Sequence, residues 1–497
     1  MPDGAWAFRA ARGGASGLDW AMANAMRRLA TCLVSVSLAS ASSAQMRTSL
    51  PAAPIGALPI ALTPSCAFTA PALPFSPALS VPSASPILLP SAASALSAVS
   101  PVDIEQGRSF FDGATALADA PAPASPARAP RGETVTLNDA VLPSRMFSDR
   151  TTISGHLIRA IDATNVSIDI AIHGLALREI AAALVRAKTR RVAVRIVMNQ
   201  THVFPEKRDG KRSPEVQLLL DQGFEIKILR GDGQFGVMHN KIAIFDGQVL
   251  ETGSYNWTHA ADTWHWENAT FHAEQARIKA YQAYWNWMWS ISLNIPSKAP
   301  APTTPVAQGQ PLLALSPAPQ DSERPVRFNG SAFPAQAFSP GGVTAHLVRA
   351  IDASMTSIDL ANFSFTSIAL RDALLRAKGL VKIRIIFDAD QYKFLPEMHW
   401  FAEHGFDVLL SRGKDGDAGV MHNKFAVFDG ALVEAGSFNW TRNGEKNNYE
   451  NAMFLDAPDD VAAFAAYFER IRGQAWAPEA GDHLGAHAAP DGFNFDR

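Results

Sequence analysis

The chain has 497 residues, of which 47% are hydrophobic and 18% charged, with a formal net charge of -3 and a pI near 6.5. That length points to two or three domains, and the near-neutral charge excludes a global basic field for nucleic acid, leaving only local basic patches. The only cysteines, Cys32 and Cys66, exclude a cysteine-based zinc site and a disulfide framework.

Residues 1–44 read as an export signal. Arg27 and Arg28 precede an apolar stretch at 29–39, followed by Ala-Ser-Ser-Ala at 41–44. The expected address is therefore secreted or periplasmic. The stretch is too short to span a bilayer, and no transmembrane span is expected. Residues 45–135, rich in Ala, Pro and Ser, read as a disordered stalk. Residues 296–325 read as a Pro-rich linker.

The remainder, 140–295 and 326–480, is a duplicated domain. His-Leu-Ile-Arg-Ala-Ile-Asp-Ala at 156–163 returns as His-Leu-Val-Arg-Ala-Ile-Asp-Ala at 346–353, and Val-Met-His-Asn-Lys at 237–241 returns at 420–424. Two copies of domain size argue against a solenoid. Within the first copy, helical spacing at 154–163, 177–188, 214–222 and 274–290 alternates with strand-like runs. Those runs cover 167–172, 193–198, 225–229, 241–245, 248–252 and 268–272. Asp246-Gly247 between two apolar runs predicts a tight hairpin. The alternation predicts an α/β fold in which helices flank a mixed β-sheet.

Chemistry concentrates in the second half of each copy. His239, Lys241 and Asp246 repeat as His422, Lys424 and Asp429. Residues two apart on a strand share a face, so each His and its Lys are expected to project together from an exposed strand face toward an anion. Gly-Ser-x-Asn follows, bringing Ser254 and Asn256 in one copy and Ser437 and Asn439 in the other. Glu267-Asn268 and Glu450-Asn451 come next, and a carboxylate beside a reactive His can fix its tautomer. No metal is expected, because a Lys stands beside each His and no ligand-spaced cluster accompanies it. Asn240 and Asn423 receive no role.

His-x-Lys-x-x-x-x-Asp followed by Gly-Ser-x-Asn, present in both copies, resembles the signature of the phospholipase D superfamily. The wording is closest to its bacterial nuclease and cardiolipin hydrolase branch. The resemblance implies two tandem phospholipase D-like domains packed about a pseudo-two-fold axis, both half-sites lying in one chain that acts as a monomer. It implies a phosphohistidine intermediate, with His239 as nucleophile and His422 as general acid/base, or the reverse. Lys241, Lys424, Asn256 and Asn439, with Ser254 and Ser437, would bind the substrate phosphate. Glu267 and Glu450 would orient His239 and His422, in that order. Asp246 and Asp429 belong to the catalytic motif yet fall at the hairpin turn, which suits a structural task. No cofactor is implied.

The expected substrate is a phospholipid, cleaved to phosphatidic acid and a free head group. The alternatives are a metal-independent endonuclease acting on DNA or RNA, and a non-catalytic phosphate-binding protein. Trp287 and Trp289 align with Arg470 and Arg472 of the second copy, which suggests exposure and a peripheral membrane contact. The basic insert 207–212 suits nucleic-acid phosphates or anionic headgroups.

Overall fold

In the computed structural model, the described residues are 130–205, 212–233, 235–295, 318–319, 325–479 and 482. All lie in one compact unit, Ala114–Arg497. The expected export signal, the stalk up to 129, residues 296–317 of the linker and residues 207–211 of the basic insert fall outside them.

The first copy is organised around an apolar strand buried along nearly its whole length, β2 (Ser167–Ile172). Such a run suits the middle of a sheet covered on both faces. Its neighbours are β1 (Arg145–Phe147), β3 (Ala193–Asn199), β4 (Glu225–Leu229), β5 (Lys241–Phe245), β6 (Val249–Gly253), β7 (Asn268–His272) and β8 (Leu293–Asn294). They form one eight-stranded sheet in the order β8-β4-β3-β2-β5-β6-β7-β1. The pairs β2–β3 and β3–β4 are parallel, whereas β2–β5, β5–β6 and β6–β7 are antiparallel.

The second copy repeats this plan with β9 (Gln336–Ser339), β10 (Ser357–Asn362), β11 (Lys382–Asp388), β12 (Asp407–Gly413), β13 (Gly416–Val420), β14 (Lys424–Phe428), β15 (Leu432–Gly436) and β16 (Glu450–Leu455). Their order is β9-β16-β15-β14-β10-β11-β12-β13. The chain is thus α/β, with two mixed sheets that match in seven strands and differ in the edge strand, β8 in the first and β13 in the second.

Helices α1 (Ile153–Ala163) and α2 (Arg178–Thr189) cover one face of the first sheet, α3 (Gln275–Ile291) the other. Helices α4 (Val343–Ala353), α5 (Ile368–Ala377) and α6 (Pro458–Arg472) do the same for the second. In α1 the buried positions Ile153, Leu157, Ala160 and Ile161 follow helical spacing, which is why this segment packs as an amphipathic helix. The inner faces of both sheets, with α3 and α6, close on a shared third core. Ile242, Ile244, Phe425 and Val427 lie in it beside Tyr284, Trp285, Tyr467 and Phe468. The two copies therefore share one interior.

Three expectations change. The stalk does not extend to 135: Thr134–Leu137 pairs with Ala140–Pro143, and Arg131 reaches Asp460 of the second copy at 2.9 Å. Alternating burial along Thr-Val-Thr-Leu marks this piece as a half-buried strand. Trp287 and Trp289 are half-buried instead of exposed. Trp289 stacks on Trp285 with ring centroids 5.1 Å apart, and Trp287 lies 5.6 Å from Tyr449. Arg470, aligned with Trp287, is tied to Asp149 at 2.6 Å and is itself mostly buried, so at that position tolerance of Arg does not report exposure. Finally, His239, Lys241, His422 and Lys424 stand on no exposed strand face, since all four are fully buried. No described helix is long and apolar enough to cross a membrane, which leaves β-barrels unaddressed.

Candidate active site

Each motif histidine lies on a short connector just before its strand, and the connector pairs with the opposite copy. The His239 amide donates to the Tyr449 carbonyl at 3.0 Å, and the Tyr449 amide to Val237 at 3.0 Å. In the related half, the His422 amide donates to Trp266 at 3.1 Å and the Trp266 amide to Val420 at 3.0 Å. Glu450 follows Tyr449 and Glu267 follows Trp266, so each carboxylate is delivered to the other copy's histidine.

His239 Nδ1 lies 2.9 Å from both Glu450 carboxylate oxygens, and His422 Nδ1 lies 2.8 Å from Glu267 Oε1. The expected pairing, Glu267 with His239 and Glu450 with His422, is therefore reversed. The cause is the exchange of connectors, which no single copy displays. An ionised carboxylate can only accept, so each Nδ1 carries the proton and each Nε2 holds its lone pair in the neutral ring. Both Nε2 atoms are buried without a hydrogen-bond partner among the described residues.

The serines also differ from expectation. Ser254 Oγ donates to Glu267 at 2.5 Å and Ser437 Oγ to Glu450 at 2.6 Å. Each Oγ also accepts a backbone amide, from Asn268 at 3.0 Å and from Asn451 at 3.1 Å. Hydroxyls committed in this way brace the carboxylates. Lys241 Nζ donates to the His239 carbonyl at 2.7 Å, and Lys424 Nζ to that of His422 at 2.5 Å. Asn256 and Asn439 are buried, and Asn256 Oδ1 has no partner among the described residues.

Asp246 and Asp429 do not reach this centre. Each begins a hairpin turn with positive φ, 52° in both, followed by Gly247 at 62° or Gly430 at 58°. This is the backbone that Asp-Gly favours between strands. The Asp246 carboxylate accepts the amides of Asn165, Val166 and Ser167 and the side chain of Asn138. Asp429 does the same with Met355, Thr356, Ser357 and Asn329. Each Lys opens its five-residue strand and each Asp follows the strand's end, five residues or about 16 Å away at the usual rise per residue.

The electrostatics bind the halves into one centre. Burial, then the charges of Lys241, His173 and Lys424, holds His239 well below the ordinary imidazole range. Burial pushes His422 down to about 3, against the attraction of Glu267 and with the repulsion of Lys424. Burial would raise Glu267, but His422, His265 and Lys424 together hold it near 2. Both imidazoles are thus biased toward the neutral form in the free protein, beside the lysines of both copies. The two lysines are balanced by the two carboxylates, so a bound phosphate anion would tip the balance and raise the proton affinity of both rings.

Several residues around the centre carry no sequence-level expectation. Asn240 and Asn423 turn out to stitch the copies: Asn451 Nδ2 donates to Asn240 at 2.9 Å and Asn268 Nδ2 to Asn423 at 2.7 Å. His173 packs against His239 with ring centroids 5.0 Å apart, whereas Phe363 at the matching place packs against His422 at 4.9 Å. His265 stands 3.7 Å from Glu267, whereas its counterpart Asn448 hydrogen-bonds Glu450 at 3.0 Å. Aligning the copies and asking where they disagree would have singled out these positions.

Two tandem sheets, each supplying a His and a Lys to one shared centre, define a two-repeat protein with a single composite site. A family model described as "Cardiolipin synthase, PLD-like domain" matches residues 157–289 and 347–472, and the chain belongs to that phospholipase D-like family. It is 35% identical over 135 residues to mouse (Mus musculus) mitochondrial cardiolipin hydrolase, covering 26% of this chain and 57% of that protein. It is 36% identical over 118 residues to a Chlamydomonas reinhardtii protein of the same name, covering 23% and 51%. The chain thus spans about half the length of the curated relatives it matches. Phosphatidylserine synthase of Haemophilus influenzae aligns with a TM-score of 0.52 at 12% identity, over 67% of this chain and 87% of its own, and shares the fold.

Proposed function

We propose that this chain is a phosphodiesterase that cleaves phospholipids to phosphatidic acid and a free head group through a covalent phosphohistidine. The observation that carries the reading is the pair of crossed His–Glu contacts, which leave both Nε2 atoms unpartnered beside two lysines. In the first step the His239 Nε2 lone pair attacks phosphorus and the bond to the leaving oxygen breaks. His422, protonated once the anionic substrate offsets the lysine field, gives its Nε2 proton to that oxygen. In the second step His422 takes a proton from water, the resulting hydroxide attacks phosphorus, and the P–N bond breaks. Lys241 and Lys424, with Asn256 and Asn439, stabilise the charge on the transferring group. Glu450 and Glu267 hold the two rings in their working tautomers.

The choice of a lipid rests on the relatives' printed names, cardiolipin hydrolase, and on the export signal expected at 1–44. We extend the proposal to a secreted or periplasmic monomer. The test offers the full-length chain cardiolipin vesicles, phosphatidylcholine vesicles and single-stranded DNA in parallel, in EDTA. Release of phosphatidic acid from either lipid is expected. Cleavage of DNA with both lipids untouched would replace the lipid reading by an endonuclease, and absence of any turnover would leave a phosphate-binding protein.

A further inference from the structure

His265, Glu267 and His422 each offer one ligand atom, and these atoms lie within 4.8 Å of one another. Two imidazoles and a carboxylate suit a borderline divalent ion such as Zn2+. At zinc–ligand bonds of about 2.1 Å, ligand atoms of a tetrahedron stand about 3.4 Å apart. His422 Nδ1 lies 2.8 Å and His265 Nδ1 3.7 Å from Glu267 Oε1, values that bracket that spacing. His265 Nδ1 is buried and makes no hydrogen bond among the described residues, yet it points at the carboxylate. The rest of the His265 side chain is 17% exposed, which gives an ion a way in.

The other half of the centre lacks this arrangement. Asn448 occupies the place of His265 and gives Glu450 an ordinary hydrogen bond. The exchange of Asn for His in one copy removes a hydrogen bond and adds a metal donor. We infer that His265, Glu267 and His422 form an inhibitory site for Zn2+, present in one half of the centre only.

The consequence for chemistry follows from the tautomer. To take the ion, His422 must change tautomer: Nδ1 gives up its proton and Nε2 takes one from solvent, so the neutral ring carries its single proton on Nε2. That nitrogen can neither attack phosphorus nor accept a proton from water. Inhibition therefore rests on the proposed function, whereas binding does not. Lys424, whose charge acts on Glu267 and His422, opposes the ion and keeps affinity below that of a closed structural site.

The experiment is calorimetric titration of the full-length protein with Zn2+, for wild type, His265→Asn and Asn448→His, with turnover followed alongside. Wild type should bind one equivalent that His265→Asn weakens by at least about tenfold, and Asn448→His should gain a second equivalent. Zn2+ should stop wild-type turnover reversibly with EDTA, and inhibition of His265→Asn should need at least about tenfold more Zn2+. Equal binding by wild type and His265→Asn would overturn the site, and so would saturable binding absent from wild type. Should His265→Asn fail to fold, the second equivalent in Asn448→His decides, its absence counting against the site. Binding without inhibition would overturn the inhibitory role alone, and binding remains decisive should no phosphodiester be turned over.

Discussion

Each histidine at the centre is governed by a carboxylate from the opposite repeat, and this crossing carries most of the functional argument. A carboxylate on Nδ1 fixes the tautomer, supports the imidazolium and aims the lone pair of Nε2. Replacing it by an amide preserves shape but can present a donor in its place. Glu450→Gln should therefore lower kcat by about 10^2- to 10^4-fold with little change in KM. The same variant should shift the ring-nitrogen NMR signals of His239 while sparing those of His422. A shift confined to His422 would contradict the crossed pairing. Ser437 would lose an acceptor in that variant, so Ser437→Ala should show a smaller loss in the same direction. The identities of these residues were legible in the repeated motif, but their partners were not. Both copies contain a His and a Glu, and only the exchange of connectors at Met238–Tyr449 and Trp266–Met421 decides which meets which.

At the scale of elements, the motif aspartates act on the hairpin and the strand start beside it. Asp246 gathers three backbone amides and an asparagine side chain, whose hydrogen bonds hold its carboxyl below the ordinary range against the opposing effect of burial. Asp246→Ala hands those donors, two of them at exposed positions, back to water and should cost about 1–2 kcal/mol in urea unfolding, while activity per folded molecule is retained. A group depressed in this way stabilises the fold above the ordinary aspartate value of about 3.9. Its contribution is lost as the pH falls through the lower, folded value. Loss of activity without loss of stability would return Asp246 to the catalytic centre. Local periodicity reads most of these elements well: the strands Ser167–Ile172, Glu225–Leu229, Lys241–Phe245 and Asn268–His272 fall where alternation and apolar runs place them. The helix read at 274–290 is observed as Gln275–Ile291. The short pieces Arg145–Phe147 and His259–Thr263 escaped, since three to five residues hold too little periodicity to register. The exposed face assigned to His239 and Lys241 failed for another reason. Alternation shows which residues share a face, and a second copy of the domain buries that face.

At the scale of the whole molecule, duplication builds a single interior with a single centre. The third core draws residues from both sheets, and Arg131 and Arg145 of the first copy grip Asp460 of the second, at 2.9 and 2.7 Å. Neither half retains its Glu–His contact alone, because each carboxylate crosses the boundary. The pseudo-two-fold arrangement is what the family resemblance implies. Its departures from symmetry, His173 against Phe363 and His265 against Asn448, decide how the two halves differ chemically. The most direct test of one shared centre is turnover by His239→Ala and His422→Ala, each measured alone in EDTA against wild type. A single centre predicts that either substitution removes at least about 10^3-fold of the activity. Retention of about half the activity in each variant would mean two independent sites and would contradict the account.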